Sequence, residues 1–158
     1  MTPQEIRQIV YQHLAAEERH DAAAAAATYA PHGYYHHVPL GLRLEGKDAV
    51  AAGYAASFGA FPDSEVVNDG EVVEGNTYVH WGRFRATVSG SWLGLPPTDR
   101  RLDLPFAAVI EVGNGYMIGE TLYYDLDTLC AQSGHTIEAV RVAADGLRGA
   151  RASALQTA

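Results

Sequence analysis

The sequence predicts an α+β domain in which helices pack on one face of an antiparallel sheet. Helical patterns dominate the first 60 residues and strand patterns fill most of the next 65, and this order is typical of helices laid on a meander. A length of 158 residues suits one domain with a sizeable core. A hydrophobic content of 47% with 19% charged residues is globular composition.

The first two helices are predicted by their capping signals. Thr2 and Glu5 have the spacing of a capping box, in which each side chain bonds the other residue's backbone amide. Apolar residues then recur at helical spacing from Ile6, and this places His13 on or beside the buried stripe. Asp21 is predicted to cap a second, short helix of six alanines.

One strand and one helix follow before the sheet proper. The segment GYYHHVP, residues 33–39, is rich in β-forming residues and ends at a proline, so it predicts a short strand. Helical spacing returns in GKDAVAAGYAASF, where Val50, Tyr54 and Phe58 lie four residues apart. The FPD sequence from Phe61 ends this helix.

From Ser64 onward the pattern predicts strands. Turn residues, including NDG at Asn68 and GNG at Gly113, separate the runs, and a short helix begins after Asp125. We therefore expect a folded domain over residues 1–134 and a C-terminal extension over 135–158 that is partly helical or disordered and carries no chemistry. The strand runs are SEVV, EVVEG, TYVHWGRFRATVSG, LDLPFAAVIEV and YMIGETLYY.

Charge and cysteine content exclude several classes of partner. A net charge of −8 opposes binding to nucleic acid or to an anionic membrane, because both need a basic surface. The single cysteine, Cys130, rules out an internal disulfide and is predicted to be an inert buried thiol. The chain shows no signal peptide and no apolar run that could span a bilayer, so we expect a cytoplasmic protein.

Five short motifs, in this order and spacing, resemble the SnoaL-like polyketide cyclases of the wider NTF2-like fold. The resemblance runs from about residue 6 to 134. The motifs are YA at Tyr29, GKDAV at Gly46, FPD at Phe61, GLPPT at Gly94 and D-L-x-x-L-x-x-Q-x-G from Asp125.

This resemblance implies an NTF2-like cone: a curved antiparallel sheet whose N-terminal helices enclose a hydrophobic pocket. It also implies a hydrophobic small-molecule substrate and no cofactor. The same cone serves isomerases, epoxide hydrolases, dehydratases and non-catalytic modules, so the fold alone names no reaction. Two departures weaken the match to ester cyclases: Val88 stands where that pattern often has histidine, and Asp99 where a glycine usually follows PPT.

Strand alternation predicts which side chains face the pocket. In TYVHWGRFRATV, the even-numbered set includes His80 and Phe84, whereas the odd-numbered set includes Arg83 and Arg85. Two arginines do not belong under a helical layer, so we expect the even-numbered set to face the pocket. The Arg-x-Asp of epoxide hydrolases is absent, because the matching triplet is Gly82-Arg83-Phe84.

Steroid isomerases resemble this chain over HLAA at His13, Asp21 and Tyr29. Carried forward without gaps, the resemblance puts His37 at the position of their general-base aspartate and His13 at that of their oxyanion-hole tyrosine. Ala107 replaces their second oxyanion-hole acid. The adjacent His36 points the opposite way in a strand, so the pair is not expected to bind a metal.

The same spacing on the last strand turns Glu120, Leu122 and Tyr124 toward the pocket and Asp125 away from it. Glu120 is then either a pocket acid with a raised pKa or an outward residue in a different register. Asp125 has two readings: the N-cap of the last short helix, which we favour, or a pocket carboxylate if the strand is shifted by one residue.

The sequence therefore predicts a cofactor-independent acid/base enzyme acting on a polyketide- or steroid-like carbonyl compound by aldol cyclisation, isomerisation or dehydration. His37 would be the base, with His13 or a protonated Glu120 as hydrogen-bond donor. The alternatives are a non-catalytic module that binds a hydrophobic ligand and a structural dimer with a closed pocket.

A homodimer is expected, because the sheet would otherwise expose Trp81 and its apolar neighbours. Predicted substrate-binding residues are Tyr35, His80, Phe84, Trp92, Leu122 and Tyr124, with the GLPPT hairpin at the rim and Trp92 as its lid.

Overall fold

The computed structural model describes the backbone of residues 1–156 and the side chains of residues 1–149. Helices and strands follow the predicted order closely, with one additional short strand. The helices are α1 (Pro3–Glu18), α2 (Ala22–Ala27), α3 (Lys47–Ala60), α4 (Leu126–Ser133) and α5 (Ile137–Gln156). The strands are β1 (Tyr29–His37), β2 (Leu42–Glu45), β3 (Glu65–Glu74), β4 (Thr77–Thr87), β5 (Arg101–Gly113) and β6 (Tyr116–Tyr124).

The six strands form one sheet in the order β2-β1-β6-β5-β4-β3. The meander from β3 to β6 is antiparallel, as predicted, but β1 pairs with β6 in parallel. The sheet is therefore mixed, and the prediction of a wholly antiparallel sheet is wrong on this point. Alternation shows that a segment is a strand, but it does not say which strand pairs with it or in which direction.

The predicted NDG turn is a β-bulge inside one strand. Asn68 pairs with Gly82 and Gly70 pairs with Trp81, so Asp69 is the extra residue between them. The SEVV and EVVEG runs are therefore both parts of β3, separated by an irregularity and not by a chain reversal. A bulge redirects the side chains beside it, and it does so here next to the cavity described below.

Helix capping follows the sequence signals. The Thr2 hydroxyl accepts from the Glu5 amide at 3.2 Å, and the Glu5 carboxylate accepts from the Thr2 amide at 2.7 Å. The Asp21 carboxylate accepts from the Ala24 amide and begins α2. Helix α1 buries Ile6, Val10, His13 and Ala16 against the sheet and α2.

The loop after β4 explains one departure from the family pattern. Asp99 has a φ of 55°, in the left-handed region where glycine is the usual residue, and aspartate is among the few others that adopt it. The amides of Thr98 and Asp99 both donate to the Val88 carbonyl, at 3.1 and 3.0 Å. Asp99 thus adopts the left-handed conformation that ends the GLPPT loop.

The described part of the C-terminal extension is helical from Ile137 onward. Helix α5 buries Val140 and Ala144 in the main core, and Arg148 donates to the Leu40 carbonyl. Of the two states predicted for this extension, partly helical or disordered, Ile137–Gln156 adopts the helical one, and its buried apolar positions tie this helix to the domain. The last two residues lie outside the described part of the chain. No helix among the described residues is both long enough and apolar enough to cross a bilayer.

Candidate active site

A cavity of about 600 Å³ lies between α1, the C-terminal half of α3 and the concave face of the sheet. This volume is in the range of small-molecule sites. Its walls are mainly aromatic and aliphatic, and the described residues also bring two histidines and several carboxylates to it. All six side chains predicted to bind substrate line this cavity: Tyr35, His80, Phe84, Trp92, Leu122 and Tyr124. His37 and Glu120 line it as well.

Strand alternation correctly predicts the inner faces of β4 and β6. His80 and Phe84 face the cavity, whereas Arg83 and Arg85 lie on the outer face and bond the Asp103 carboxylate at 2.5 and 3.3 Å. Both arginines therefore have partners and stay outside the helical layer.

Glu120 is buried at the cavity wall and is only 3% exposed. Its Oε2 atom accepts hydrogen bonds from the hydroxyls of Tyr29 at 2.7 Å and Tyr54 at 2.9 Å, and it lies 3.6 Å from His13 Nε2. Oε2 is thus clamped by two hydroxyl donors and by the charge of the nearby His13. The sequence reading in which Glu120 points outward is wrong.

His13 lies behind Glu120 and is fully buried. Its Nε2 lies 2.8 Å from Glu17 Oε1 and 3.0 Å from the Tyr54 hydroxyl oxygen, whose proton is donated to Glu120. Its Nδ1 lies 3.0 Å from the Thr28 hydroxyl oxygen, whose proton goes to the Ala25 carbonyl. Both ring nitrogens therefore face acceptors, and this arrangement requires the doubly protonated imidazolium.

The charged groups of this network shift one another's pKa values. Burial lowers the pKa of His13, but the charge of Glu17 and hydrogen bonds to Glu120 and Glu17 outweigh burial and raise the pKa well above its usual value. Burial raises the pKa of Glu120, but the hydrogen bond and the charge of His13 outweigh it and hold this pKa well below its usual value. The prediction of a raised pKa for Glu120 is wrong, because its partner is a buried cation.

Two predicted roles consequently fail. His13 does not line the cavity, so it cannot donate a hydrogen bond to a substrate oxygen there. An ionised Glu120 has no proton to donate, so it accepts hydrogen bonds instead. Among the described residues, the hydroxyls that donate to Glu120 are those of Tyr29 and Tyr54.

His37, in contrast, has the environment of a free base. Its Nδ1 lies 3.2 Å from the Tyr124 hydroxyl, and its ring packs edge-on against Tyr35, with the ring centres 4.6 Å apart. Nε2 is therefore the nitrogen that can meet a molecule in the cavity. Burial lowers the pKa of His37 to about 4, although the charge of Glu120 opposes this shift. His37 is neutral at pH 7.

Asp125 is the N-cap of α4 and not a cavity residue. Its carboxylate accepts from the Thr128 amide at 2.7 Å and from the Thr128 hydroxyl, and these bonds hold its pKa below the usual value. The favoured sequence reading places Asp125 correctly.

Sequence reasoning missed the tyrosines that hold Glu120. In the sequence, Tyr29 stands out only within family resemblances and Tyr54 only as one member of a helical stripe. Glu17 was not singled out, although its spacing of four residues from His13 places both on one face of α1. No local pattern could have joined the three, because they come from β1, α3 and α1 and meet only through tertiary packing.

One cluster in the described chain has the composition of a metal site. Ligand atoms of His13, Glu17 and Glu120 lie within 4.8 Å of one another. However, metal ligation needs a neutral imidazole with a free lone pair, whereas both nitrogens of His13 are oriented as donors. We assign the cluster to an ion-pair network in which the imidazolium protons occupy the place of a cation.

Comparison with known proteins agrees with this architecture. The model of the SnoaL-like domain family matches residues 10–119. No curated protein matches the chain. A solved structure from Jannaschia sp. CCS1, provisionally described as a SnoaL-like polyketide cyclase, is 22% identical, with a TM-score of 0.76 over 84% of this chain and 95% of that one.

Two further solved structures share the fold. One from Shewanella denitrificans, with the same provisional description, is 15% identical, with a TM-score of 0.73 over 83% of this chain and 97% of that one. A protein from Catenulispora acidiphila with a ketosteroid isomerase-like fold, solved in complex with trimethylamine, is 20% identical, with a TM-score of 0.70 over 86% of this chain and 96% of that one. These identities establish a shared fold, and the family match over residues 10–119 establishes that the chain belongs to the SnoaL-like domain family.

Proposed function

We propose that this protein is a cofactor-independent acid/base enzyme that removes a proton next to the carbonyl group of a hydrophobic, polyketide- or steroid-like compound. One observation carries the proposal: an imidazole, that of His37, and a carboxylate, that of Glu120, face the same largely apolar cavity from the paired strands β1 and β6. His37 pairs with Leu122, and Glu120 is one cavity-facing step away on β6. The cyclase and isomerase names within this fold are consistent with such chemistry.

His37 is the general base in this mechanism. If Nδ1–H donates to the Tyr124 oxygen, Nε2 presents its lone pair to the cavity and the Tyr124 hydroxyl proton is free to bond a substrate oxygen. Nε2 takes the proton from the carbon next to the carbonyl, and the C–H electron pair moves into the enolate. Tyr124 then stabilises the enolate oxygen in the way that an oxyanion hole does.

The captured proton returns in a second step that depends on the substrate. Delivery to a different carbon of a conjugated enolate completes an isomerisation. Attack of the enolate carbon on a second carbonyl forms the C–C bond of an aldol cyclisation, and the new alkoxide takes the proton. Expulsion of a β-hydroxyl group completes a dehydration, with the proton leaving in water. In each case His37 returns to its neutral form.

Glu120 acts through its charge. When His37 takes a proton, an imidazolium forms close to the Glu120 carboxylate, and a negative charge stabilises that cation. The clamp formed by Tyr29, Tyr54 and His13 keeps Glu120 ionised in its buried position. His13 is a positioning residue behind this carboxylate.

The alternative function is a non-catalytic module that binds a hydrophobic ligand. A featureless apolar pocket with His37 bonded only to backbone would favour this alternative. His37 instead bonds a tyrosine hydroxyl, and the cavity wall includes ionised Glu120. These features support the enzyme. A purely structural dimer would have its pocket packed shut by aromatic side chains including Trp81, whereas the cavity is open and Trp81 lies outside it.

The test is carbon-acid exchange, which needs no knowledge of the product. We expect the protein to accelerate exchange of the protons next to the carbonyl of polycyclic ketones in D₂O, as followed by ¹H NMR. Tyr124→Phe should reduce this exchange by about 10²–10³-fold, because one oxyanion donor is lost. Binding of the ketones without any accelerated exchange would leave only the binding module.

We propose that the protein is a homodimer, because the outer face of the sheet exposes large apolar side chains. Trp81 on β4 and Tyr123 on β6 both pair with Ala107, and their side chains are 43% and 48% exposed. Val72 on β3 extends this apolar surface, and it is 49% exposed. Arg83 lies beside it, bonded to Asp103. Large apolar surfaces are rarely left in water.

Light scattering at micromolar concentration should give twice the chain mass, and Trp81→Glu should reduce it to the mass of one chain. A single-chain mass for the unmodified protein would contradict the proposal.

A further inference from the structure

His80 has a buried ring nitrogen without a partner. The residue is 2% exposed and lines the cavity. Its Nδ1 lies 2.8 Å from the Asn68 Oδ1 atom, whereas Nε2 has no hydrogen-bond partner among the described residues. A buried polar atom without a partner costs free energy, and such atoms are rare in folded proteins.

The partner of Nδ1 decides what Nε2 can do. Because the Asn68 Oδ1 atom is an acceptor, Nδ1 carries the proton and donates it. Burial lowers the pKa of His80, so the ring is neutral near pH 7. Nε2 therefore presents a lone pair, and only a donor can satisfy it.

The position of Asn68 is built into the backbone. Asn68 is the last residue before the β-bulge of β3, where Asp69 is the extra residue, and it lines the cavity beside His80. Bulges redirect side chains next to functional sites. Asn68 thereby fixes the tautomer of His80, as outer partners commonly do for functional histidines.

Strand register gives the distance between His80 and His37. His37 pairs with Leu122, Leu122 with Ala108, and Ala108 with His80, so one row crosses β1, β6, β5 and β4. Three strand spacings separate the two histidine backbones, which amounts to at most about 14 Å before the side chains project into the cavity. The two imidazoles thus lie toward opposite sides of the cavity floor.

We propose that His80 Nε2 accepts a hydrogen bond from a hydroxyl group at the far end of an elongated substrate whose carbonyl end lies at His37. The orientation of the substrate rests on the proposed function, whereas the acceptor role of His80 rests on its own contacts. The substrate class is accordingly a rigid hydroxy-carbonyl compound about two or three fused rings long. His80 selects for the distal hydroxyl, since a substrate without it leaves Nε2 unpaired.

The experiment compares three biphenyl probes by calorimetric titration. One carries para hydroxyl groups at both ends, one carries a single para hydroxyl, and the third carries a hydroxyl at one end and a methoxy group at the other. The unmodified protein should bind the dihydroxy probe about 10-fold more tightly than either of the others. In His80→Phe this preference should disappear, because the ring is retained and the acceptor is lost.

The matched control is His135→Phe. His135 also has a buried ring nitrogen without a partner among the described residues, Nδ1, but it does not line the cavity. The dihydroxy preference should therefore persist in this variant. A preference that persists in His80→Phe would overturn the proposal.

Equal affinity of the unmodified protein for the dihydroxy and methoxy probes would also overturn it, even if His80→Phe did not fold. These measurements report binding and involve no turnover. Their outcome therefore does not depend on whether the carbon-acid exchange test succeeds or fails.

Discussion

Replacing His13 with leucine is expected to lower the free energy of unfolding by about 3–5 kcal/mol, which is the cost of removing one partner of a buried ion pair. His13 is fully buried, and its imidazolium contacts Glu17 and lies next to Glu120. The variant leaves the Glu120 carboxylate buried without its cation, and the two tyrosine hydroxyls alone do not neutralise it. Urea denaturation followed by circular dichroism measures the loss.

A double variant separates lost charge from lost packing. His13→Leu combined with Glu120→Leu replaces the buried pair by apolar side chains, and such replacements are often neutral or stabilising. We expect the double variant to recover most of the stability lost in His13→Leu. If the double variant is as unstable as the single one or less stable, the network does not act as an ion pair.

The pH dependence of stability gives an independent readout. The pKa of folded His13 is raised to about 10, so the folded protein keeps a proton that the unfolded chain releases near pH 6.5. The contribution of His13 is therefore fully present below pH 6.5 and decreases as the pH rises toward 10. In His13→Leu this decrease should be absent. An unchanged pH dependence in the variant would show that His13 is not the titrating group.

The sequence predicted the inner faces of the strands well because alternation on β4 and β6 is a local property. His37, His80, Glu120 and Tyr124 all face the cavity as expected, and Asp125 caps α4. Alternation therefore predicts which side chains of a strand are buried. A single inward residue with an unambiguous outward neighbour, such as Arg83 on β4, fixes the whole strand.

The protonation states could not be predicted from the sequence, because they depend on contacts between distant segments. Glu120 looked like a carboxyl that burial would keep protonated. Its actual state follows from Tyr29, Tyr54 and His13, which lie 91, 66 and 107 positions away in the chain. Similarly, the parallel partnership of β1 with β6 is a long-range pairing that no local pattern encodes.

His37→Gln is expected to reduce the rate of carbon-acid exchange by about 10²–10⁴-fold, the usual contribution of a general base. Glutamine is close in size to histidine and retains a polar contact for Tyr124, but it cannot take a proton. Since His37 lies at the cavity wall and not in the central network, the free energy of unfolding should change little. Exchange is followed by ¹H NMR in D₂O with the same polycyclic ketones.

The pH profile identifies the base more sharply than the rate alone. Burial lowers the pKa of His37 to about 4, so the unmodified protein should exchange at a constant rate from pH 5 to 7 and lose activity as the pH falls through about 4. Circular dichroism at each pH must show that the fold persists, because a histidine that resists protonation also lowers stability between pH 6.5 and 4. This loss of exchange at low pH is the acid limb of the profile. The exchange that remains in His37→Gln should not show it.

Asp125→Ala is the matched control. It removes the carboxylate that is the alternative to His37 as the catalytic base, and Asp125 lies outside the cavity. Its lost contacts are those that cap α4, so we expect a decrease in unfolding free energy of about 0.5–2 kcal/mol with the exchange rate and the acid limb unchanged. The reverse pattern, in which the limb disappears in Asp125→Ala and persists in His37→Gln, would make Asp125 the base. That outcome would require β6 to be shifted by one residue against β5, so that Tyr123 and Asp125 face the cavity in place of Glu120 and Tyr124. The Tyr29 and Tyr54 hydroxyls would then lose the carboxylate that they share, which is why we expect the limb to follow His37.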